Sequence, residues 1–248
     1  MKKLLWMLMV PALLLAGGCS NDDDGYSLGD VWRSMATVEN PDQENYFYFK
    51  TDGGTRLWTA ATDLWNYRPK DGQRIIAYFT IISDKPAGSS YDHDVVFRSA
   101  YNVLTKNVVE ITAENDEELG HDPVRITDGW IGSDYLNVEF TFRGQNKTHY
   151  INLGRDASAE YDDGKIHLEL RHNAKGDVPS RDMKGIASFN VKSLQLDGAE
   201  SVTFVIHFTP SEGADEETRE VVYKYGIGVQ SAVEYEKIFD IDQLVEVK

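Results

Sequence analysis

From Tyr26 onward the chain alternates short apolar-rich runs with turn residues, and it lacks the apolar spacing of a long amphipathic helix. Asp30 to Val38 is the first predicted strand, ended by the turn formers Asn40-Pro41-Asp42. Glu44 to Thr51 follows with a two-residue period that puts Phe47 and Phe49 on one face and Tyr46, Tyr48 and Lys50 on the other. Asp52-Gly53-Gly54 can supply the positive φ angles of a tight hairpin loop, after which Thr55 to Ala61 returns. If Thr51 and Thr55 close this hairpin, Phe49 lies opposite Leu57 and Tyr48 opposite Trp58. Gln73 to Ser83 (QRIIAYFTIIS) is apolar on both faces, as a central strand is, and Asp94 to Leu104 is the fifth. Five strands within about 80 residues predict a small closed barrel of the OB type.

The acidic stretch Glu114 to Asp122 separates this region from a second, so the expected domains are 26–112 and 113–230. Beyond the boundary the alternation is regular. Leu136, Val138, Phe140 and Phe142 interleave with Tyr135, Asn137, Glu139 and Thr141. Ile166, Leu168 and Leu170 interleave with His167, Glu169 and Arg171, and Val202, Phe204, Ile206 and Phe208 with Thr203, Val205, His207 and Thr209. Val221, Tyr223 and Tyr225 continue the pattern. With Val124 to Trp130, Thr148 to Leu153 and Ile186 to Leu196, about seven strands result, one face buried and one in solvent. That is an all-β chain, an OB-like barrel followed by an immunoglobulin-like antiparallel sandwich without the Cys…Trp…Cys pattern. In the tail, 231–248, Ile238, Ile241, Leu244 and Val245 fit either a helical turn or an edge strand.

Before Tyr26 the pattern is different. Lys2 and Lys3 precede an apolar run, Leu4 to Leu15, and then Ala16, Gly17 and Gly18, the order of an export signal over residues 1–18. The run falls short of the about 20 residues a membrane span requires. Cys19 follows directly, which resembles a bacterial lipobox, although Ala16 stands where a leucine is usual. The resemblance implies acylation of Cys19, and residues 19–25 then form a tether. Since Cys19 is the only cysteine, no internal disulfide is available to it. Asp22, Asp23 and Asp24 are similar to the acidic export signals of Bacteroidota lipoproteins, which implies an outer-membrane location facing the cell surface.

Loss of Lys2 and Lys3 with the signal takes the formal charge from −16 to −18. A surface of that sign repels phosphate backbones and anionic head groups, so nucleic acid is not an expected partner and the lipid on Cys19 is the membrane contact. Glycans and envelope proteins remain as partners.

Candidate chemistry is sparse. Ser89-Ser90-Tyr91-Asp92-His93-Asp94 holds every residue type of a nucleophilic triad, but neighbours in an extended run point to alternating sides, so a solvated loop is expected. The six histidines form no HExxH and have no cysteine partner, and His149, His167 and His207 fall on predicted polar faces. Asp92 with Asp94, Asp162 with Asp163, and Asp215 with Glu216 lack EF-hand spacing. No metal or cofactor is therefore expected. Glu139 and Glu169 are conceivable as a glycosidase pair only if they come within about 5–10 Å. The remaining candidate is aromatic: Tyr46, Tyr48, Trp58, Trp65 and Tyr67 could form a stacking surface for a glycan, OB folds using the face of strands 2 and 3 for oligosaccharides.

YSLGDVW (Tyr26 to Trp32), DGGTRLW (Asp52 to Trp58), NYRPKDGQR (Asn66 to Arg74), YNVLTKNV (Tyr101 to Val108) and DGWIGSDYLNVEF (Asp128 to Phe140), with the signal and its cysteine, resemble the NigD-like lipoproteins of Bacteroidota. The resemblance implies an N-terminal OB-like domain and a C-terminal β-sandwich. It implies no catalytic residues. The expectation is a non-catalytic, lipid-anchored docking protein; the alternatives are a bacteriocin-associated immunity or secretion accessory and a surface hydrolase.

Overall fold

The computed structural model describes residues 26–43, 46–226 and 247–248. Cys19 and Asp22 to Asp24, together with the tail candidates Ile238 to Val245, lie outside the described residues. Five strands form the first body: β1 (Trp32–Gln43), β2 (Tyr46–Thr51), β3 (Arg56–Thr62), β4 (Arg74–Asp84) and β5 (His93–Asn102). They close in the order β1-β2-β3-β5-β4. Closure leaves no free sheet edge, and it requires the one parallel pairing of the barrel, β3 with β5. The β2–β3 hairpin has the register read from the sequence, Tyr48 opposite Trp58 and Phe49 opposite Leu57. Its loop is fixed by Thr51 N–H donating to Thr55 O at 2.9 Å and by Gly54 at φ +91°, a conformation that suits glycine. Asn40-Pro41-Asp42 does not end β1; the strand runs on to Gln43 and absorbs the triplet as a register shift after Glu39. Phe47, Phe49, Leu57, Ile75, Phe79, Val95 and Phe97 fill the interior.

The second body is two facing sheets. One has the order β14-β13-β11-β10-β7, and the other β6-β12-β9-β8. Their strands are β6 (Leu104–Asn107), β7 (Val109–Glu110), β8 (Arg125–Gly132), β9 (Tyr135–Gly144), β10 (Tyr150–Arg155), β11 (Ile166–Asn173), β12 (Arg181–Asn190), β13 (Ser201–Phe208) and β14 (Glu217–Lys224). The alternating residues meet between the sheets in a core that includes Leu136, Val138, Phe140, Leu168, Phe204, Ile206 and Tyr223. Leu104–Asn107 and Val109–Glu110, assigned by their sequence to the end of the barrel domain, hydrogen-bond instead to β12 and β10. Both pairings are parallel, as is β11 with β13, so the sheets are mixed. Lys248 exchanges backbone hydrogen bonds with His149 and Ile151. The only α-helix among the described residues, α1 (Asp116–Leu119), is far too short to cross a membrane.

One predicted solvent face is not in solvent. The outer side of the β6-β12-β9-β8 sheet packs on the barrel, where Ile186 and Trp130 meet Met35, Ile76 and Val103. Asn137 and Ser188, polar positions of β9 and β12, are fully buried.

Candidate functional site

The outward side of the β2–β3 hairpin carries an aromatic strip. Because Phe47 and Phe49 must point into the barrel, Tyr46 and Tyr48 are turned outward. Trp58, directly across from Tyr48, brings its ring to 4.5 Å between centroids, and Tyr46 stacks on the same indole at 6.3 Å and 27°. Tyr91, from the loop joining β4 to β5, extends the strip at 5.7 Å from Tyr48. The Arg56 guanidinium lies 4.0 Å over the Tyr48 ring. It is held there by Glu39 Oε2 at 2.6 Å and by the Ser90 carbonyl at 2.9 Å. A pinned cation on one ring face leaves the rest of the strip for a ligand and supplies donors at its rim.

The other two predicted aromatics are placed elsewhere. Tyr67 packs on Phe97 at 5.7 Å and Phe47 at 6.2 Å, closing one end of the barrel interior, and its hydroxyl donates to Asn102 Oδ1 at 2.7 Å. Burial pushes this phenol well above its ordinary pKa. Trp65 is 77% exposed on the connection after β3. Tyr91 was not legible as a member of the strip, since pairing alone does not bring a distant loop over a strand, whereas Arg56 lies two residues before Trp58 on β3 and shares its face by alternation.

The Ser89 to Asp94 loop is used structurally. Asp92 accepts from the Arg56 backbone N–H at 2.9 Å, His93 is bonded to Asp84 at 3.0 Å, and Asp94 accepts from Ser83 at 2.8 Å. Glu139 and Glu169 sit on the outer sides of opposite sheets and cannot converge on one bond. Burial and the neighbouring Asp128 raise Glu139 to about 7, whereas Glu169 is paired with Arg171 at 2.8 Å.

A second polar constellation joins the two bodies. Arg74, fully buried, forms a two-pronged salt bridge with Asp52 at 2.6 and 2.7 Å. The same guanidinium donates to Asn137 Oδ1 at 3.0 Å, Asn137 Nδ2 donates to Asp52 Oδ2 at 3.1 Å, and Ser188 donates to Asn137 Oδ1 at 2.6 Å. Arg74 and Asp52 belong to the barrel and Asn137 and Ser188 to the sandwich. Gly132 leaves the space the carboxylate occupies: a Cβ there would lie 1.8 Å from Asp52 Oδ2.

One histidine departs from the expected polar face. His149, expected on a polar face, is 2% exposed; its Nδ1 is 2.7 Å from His172 Nε2, and its Nε2 is 3.1 Å from Asp177 Oδ2. His172 Nδ1 donates to the Pro123 carbonyl at 2.8 Å. Burial lowers the pKa of His172. Asp177 is held below its ordinary range, chiefly by the Gln145 backbone N–H and then by His149. Both shifts act in the same sense: the folded state binds fewer protons than the unfolded chain, so stability is lost as pH falls, through His172 below about 6.5 and through Asp177 below about 4. Asp177→Asn is expected to lower stability at pH 7 and to flatten its fall between neutral pH and about pH 3, read from urea midpoints at several pH values. Parallel curves for the two proteins would contradict this. Among the described residues no group of three or more His, Cys, Asp or Glu side chains is arranged to hold a metal ion.

The barrel-plus-sandwich order and the residues that build it match known proteins along both bodies. Residues 35–103 match the NigD-like N-terminal OB domain, and residues 107–223 the NigD-like C-terminal beta sandwich domain. The chain belongs to the NigD-like family. It is similar to the crystal structure of a toxin-related protein from Parabacteroides distasonis, 35% identical, with a TM-score of 0.67 over 79% of this chain and 95% of that one. It is also similar to a protein of unknown function from Bacteroides vulgatus, at 25% identity and TM-score 0.69 over 88% of this chain and 100% of that one. A NigD-like immunity protein from Bacteroides caccae, 15% identical, shares the fold at TM-score 0.59 over 80% and 98% of the two chains. Among curated proteins none matches. The NigD-like split falls between Val103 and Asn107, where the strands pass from barrel to sandwich.

Proposed function

We propose that this NigD-like protein is a non-catalytic docking protein, tethered to the outer membrane through acylated Cys19, facing the cell surface and binding a glycan on the Tyr46–Trp58–Tyr48 strip. The contiguous strip carries the reading. Three rings on adjacent strands offer planar apolar faces, while Arg56, Glu39 and the phenol hydroxyls supply the hydrogen-bonding rim a sugar needs. The acidic chain disfavours nucleic acid as the occupant of this OB-type face. Acidic residues after Cys19 support export to the surface, and a lipid bound to Cys19 supplies the membrane contact.

Base stacking on a single aromatic is worth about 1–3 kcal/mol by alanine substitution, and a sugar face stacked on Trp58 belongs to the same order. Tyr48→Ala with Trp58→Ala is therefore expected to weaken glycan-array binding by at least about tenfold, with the fold retained because both rings lie outside the barrel core. Unchanged binding to a glycan that the native protein retains would refute the assignment of this surface.

A further inference from the structure

The segment before β1 leaves its apolar side chains outside. Leu28 is 69% exposed, Val31 57%, Tyr26 44% and Trp32 40%, all within the stretch Tyr26 to Trp32. Scattered singly, such residues are ordinary; grouped, they mark a contact surface. The backbone beneath them is fastened to the barrel. The Tyr26 hydroxyl donates to Asp84 Oδ1 at the end of β4, and its ring meets His93 edge-on at 6.0 Å. Ser27 turns the chain, its carbonyl accepting from Asp30 N–H at 3.0 Å and its Oγ from Gly29 N–H at 3.2 Å. Arg98, on β5, donates through Nη2 to the Leu28 carbonyl at 3.2 Å. Polar contacts thus hold the segment in place while its apolar side chains stay exposed.

The same arginine brings in Trp65, the exposed aromatic that the glycan strip does not use. Arg98 Nη1 donates to Asp63 Oδ2 at 3.0 Å, two residues before Trp65, which is 77% exposed. Leu64, between them, packs against the barrel core. One guanidinium therefore joins the connection after β3 to the segment before β1, and their exposed side chains border one surface beside β5. The strip belongs to the outward side of β2 and β3.

We propose that Tyr26, Leu28, Val31, Trp32 and Trp65 seat the barrel on a bilayer surface of zwitterionic lipid. The proposal rests on the anchoring of Cys19 to a membrane. Residues 19–25 reach at most about 25 Å when fully extended, so the segment is held next to the bilayer that carries the lipid, and the bilayer is the nearest apolar partner. Tryptophan and tyrosine suit its boundary, because an apolar ring and a polar tip match the two sides. Apolar side chains of membrane-surface segments enter the headgroup boundary by about 5–10 Å, which single exposed side chains can reach. Charge selects the lipid class. Asp63 and Asp84 beside the surface are paired with Arg98 and His93, but the chain as a whole is strongly acidic, so anionic head groups are disfavoured. Seating adds a second membrane signal to the lipid and fixes which way the barrel faces, which a lipid alone does not do.

The test couples the mature chain, Cys19 to Lys248, through its one thiol to a maleimide phospholipid in phosphatidylcholine vesicles with brominated acyl chains. This keeps the tether length whether or not the cell acylates Cys19, and mass spectrometry of Cys19 from native envelopes checks acylation separately. Tryptophan emission should be quenched. The quenched part should disappear in Trp32→Phe with Trp65→Phe and persist in Trp58→Phe. Leu28→Ser with Val31→Ser, which lie outside every strand and leave the core intact, should lower the equilibrium constant for seating by at least about tenfold. Replacing part of the phosphatidylcholine by phosphatidylglycerol should also reduce quenching. Emission indifferent to the brominated lipid, quenching that survives loss of Trp32 and Trp65, or sedimentation showing that the uncoupled chain self-associates through Leu28 and Val31 would overturn the proposal.

Discussion

Arg74→Ala is expected to destabilise the protein by about 3–5 kcal/mol, because it strands the buried Asp52 carboxylate without its cation. The damage extends beyond one ion pair. Arg74 also donates to Thr37 and Asn137 and lies 4.9 Å from the centre of the Tyr135 ring, so its loss removes contacts on both sides of the joint. Nearby groups cannot close over the vacancy easily, since Gly132 and Asn137 already pack against Asp52. Two consequences are separable. Urea unfolding should shift to lower midpoints, and the single transition should divide as barrel and sandwich lose their coupling. Arg74→Met with Asp52→Asn should recover part of the loss, because replacing both charges costs less than orphaning one. An Arg74→Ala protein less than about 1 kcal/mol below the native one would show that the joint contributes little.

Phe97→Ala is expected to cost about 3–5 kcal/mol through loss of apolar contact and the cavity it leaves. Phe97 is the hub of the barrel interior. Its ring meets Phe47 at 5.1 Å, Phe49 at 5.7 Å and Tyr67 at 5.7 Å, and none of these can collapse into its place without disturbing the others. The position of the damage makes this variant informative about the joint as well. With Arg74 intact, hydrogen exchange should accelerate in β13 as well as in β4, although β13 is remote from the substitution. Acceleration confined to the barrel would mean that the two bodies open independently.

Much of this architecture was legible because β-structure announces itself locally. A two-residue period assigned Phe47 and Phe49 to the barrel interior, and a tight loop at Gly53 and Gly54 fixed Tyr48 opposite Trp58, the register observed. Alternation could not say what a polar face meets. Asn137 read as solvent-facing, yet a second body covers it, and a polar residue buried against hydrogen-bond partners has the same sequence signature as an exposed one. Arg74, the one charged residue opening the apolar run of β4, was a hint of the joint, but Asp52 in a turn gave no reason to pair the two. The histidine pairs were illegible for a related reason. His167 and His207 are 40 residues apart and meet through a parallel pairing of β11 with β13, where an antiparallel sheet had been expected. Of the five predicted aromatics, Tyr46, Tyr48 and Trp58 adjoin because one hairpin carries them, whereas Tyr67 sits on a connection whose path sequence periodicity does not determine.

The central claim is that a coupled two-body NigD-like protein presents the Tyr46–Trp58–Tyr48 strip to a ligand outside the cell. Photo-crosslinking on intact cells tests it most directly, with a photoreactive phenylalanine analogue in place of Tyr46, which is 43% exposed at the edge of the strip. A discrete adduct should form on intact cells and disappear when Trp58→Ala is added to the same chain. No adduct, or one that persists undiminished without Trp58, would contradict the claim.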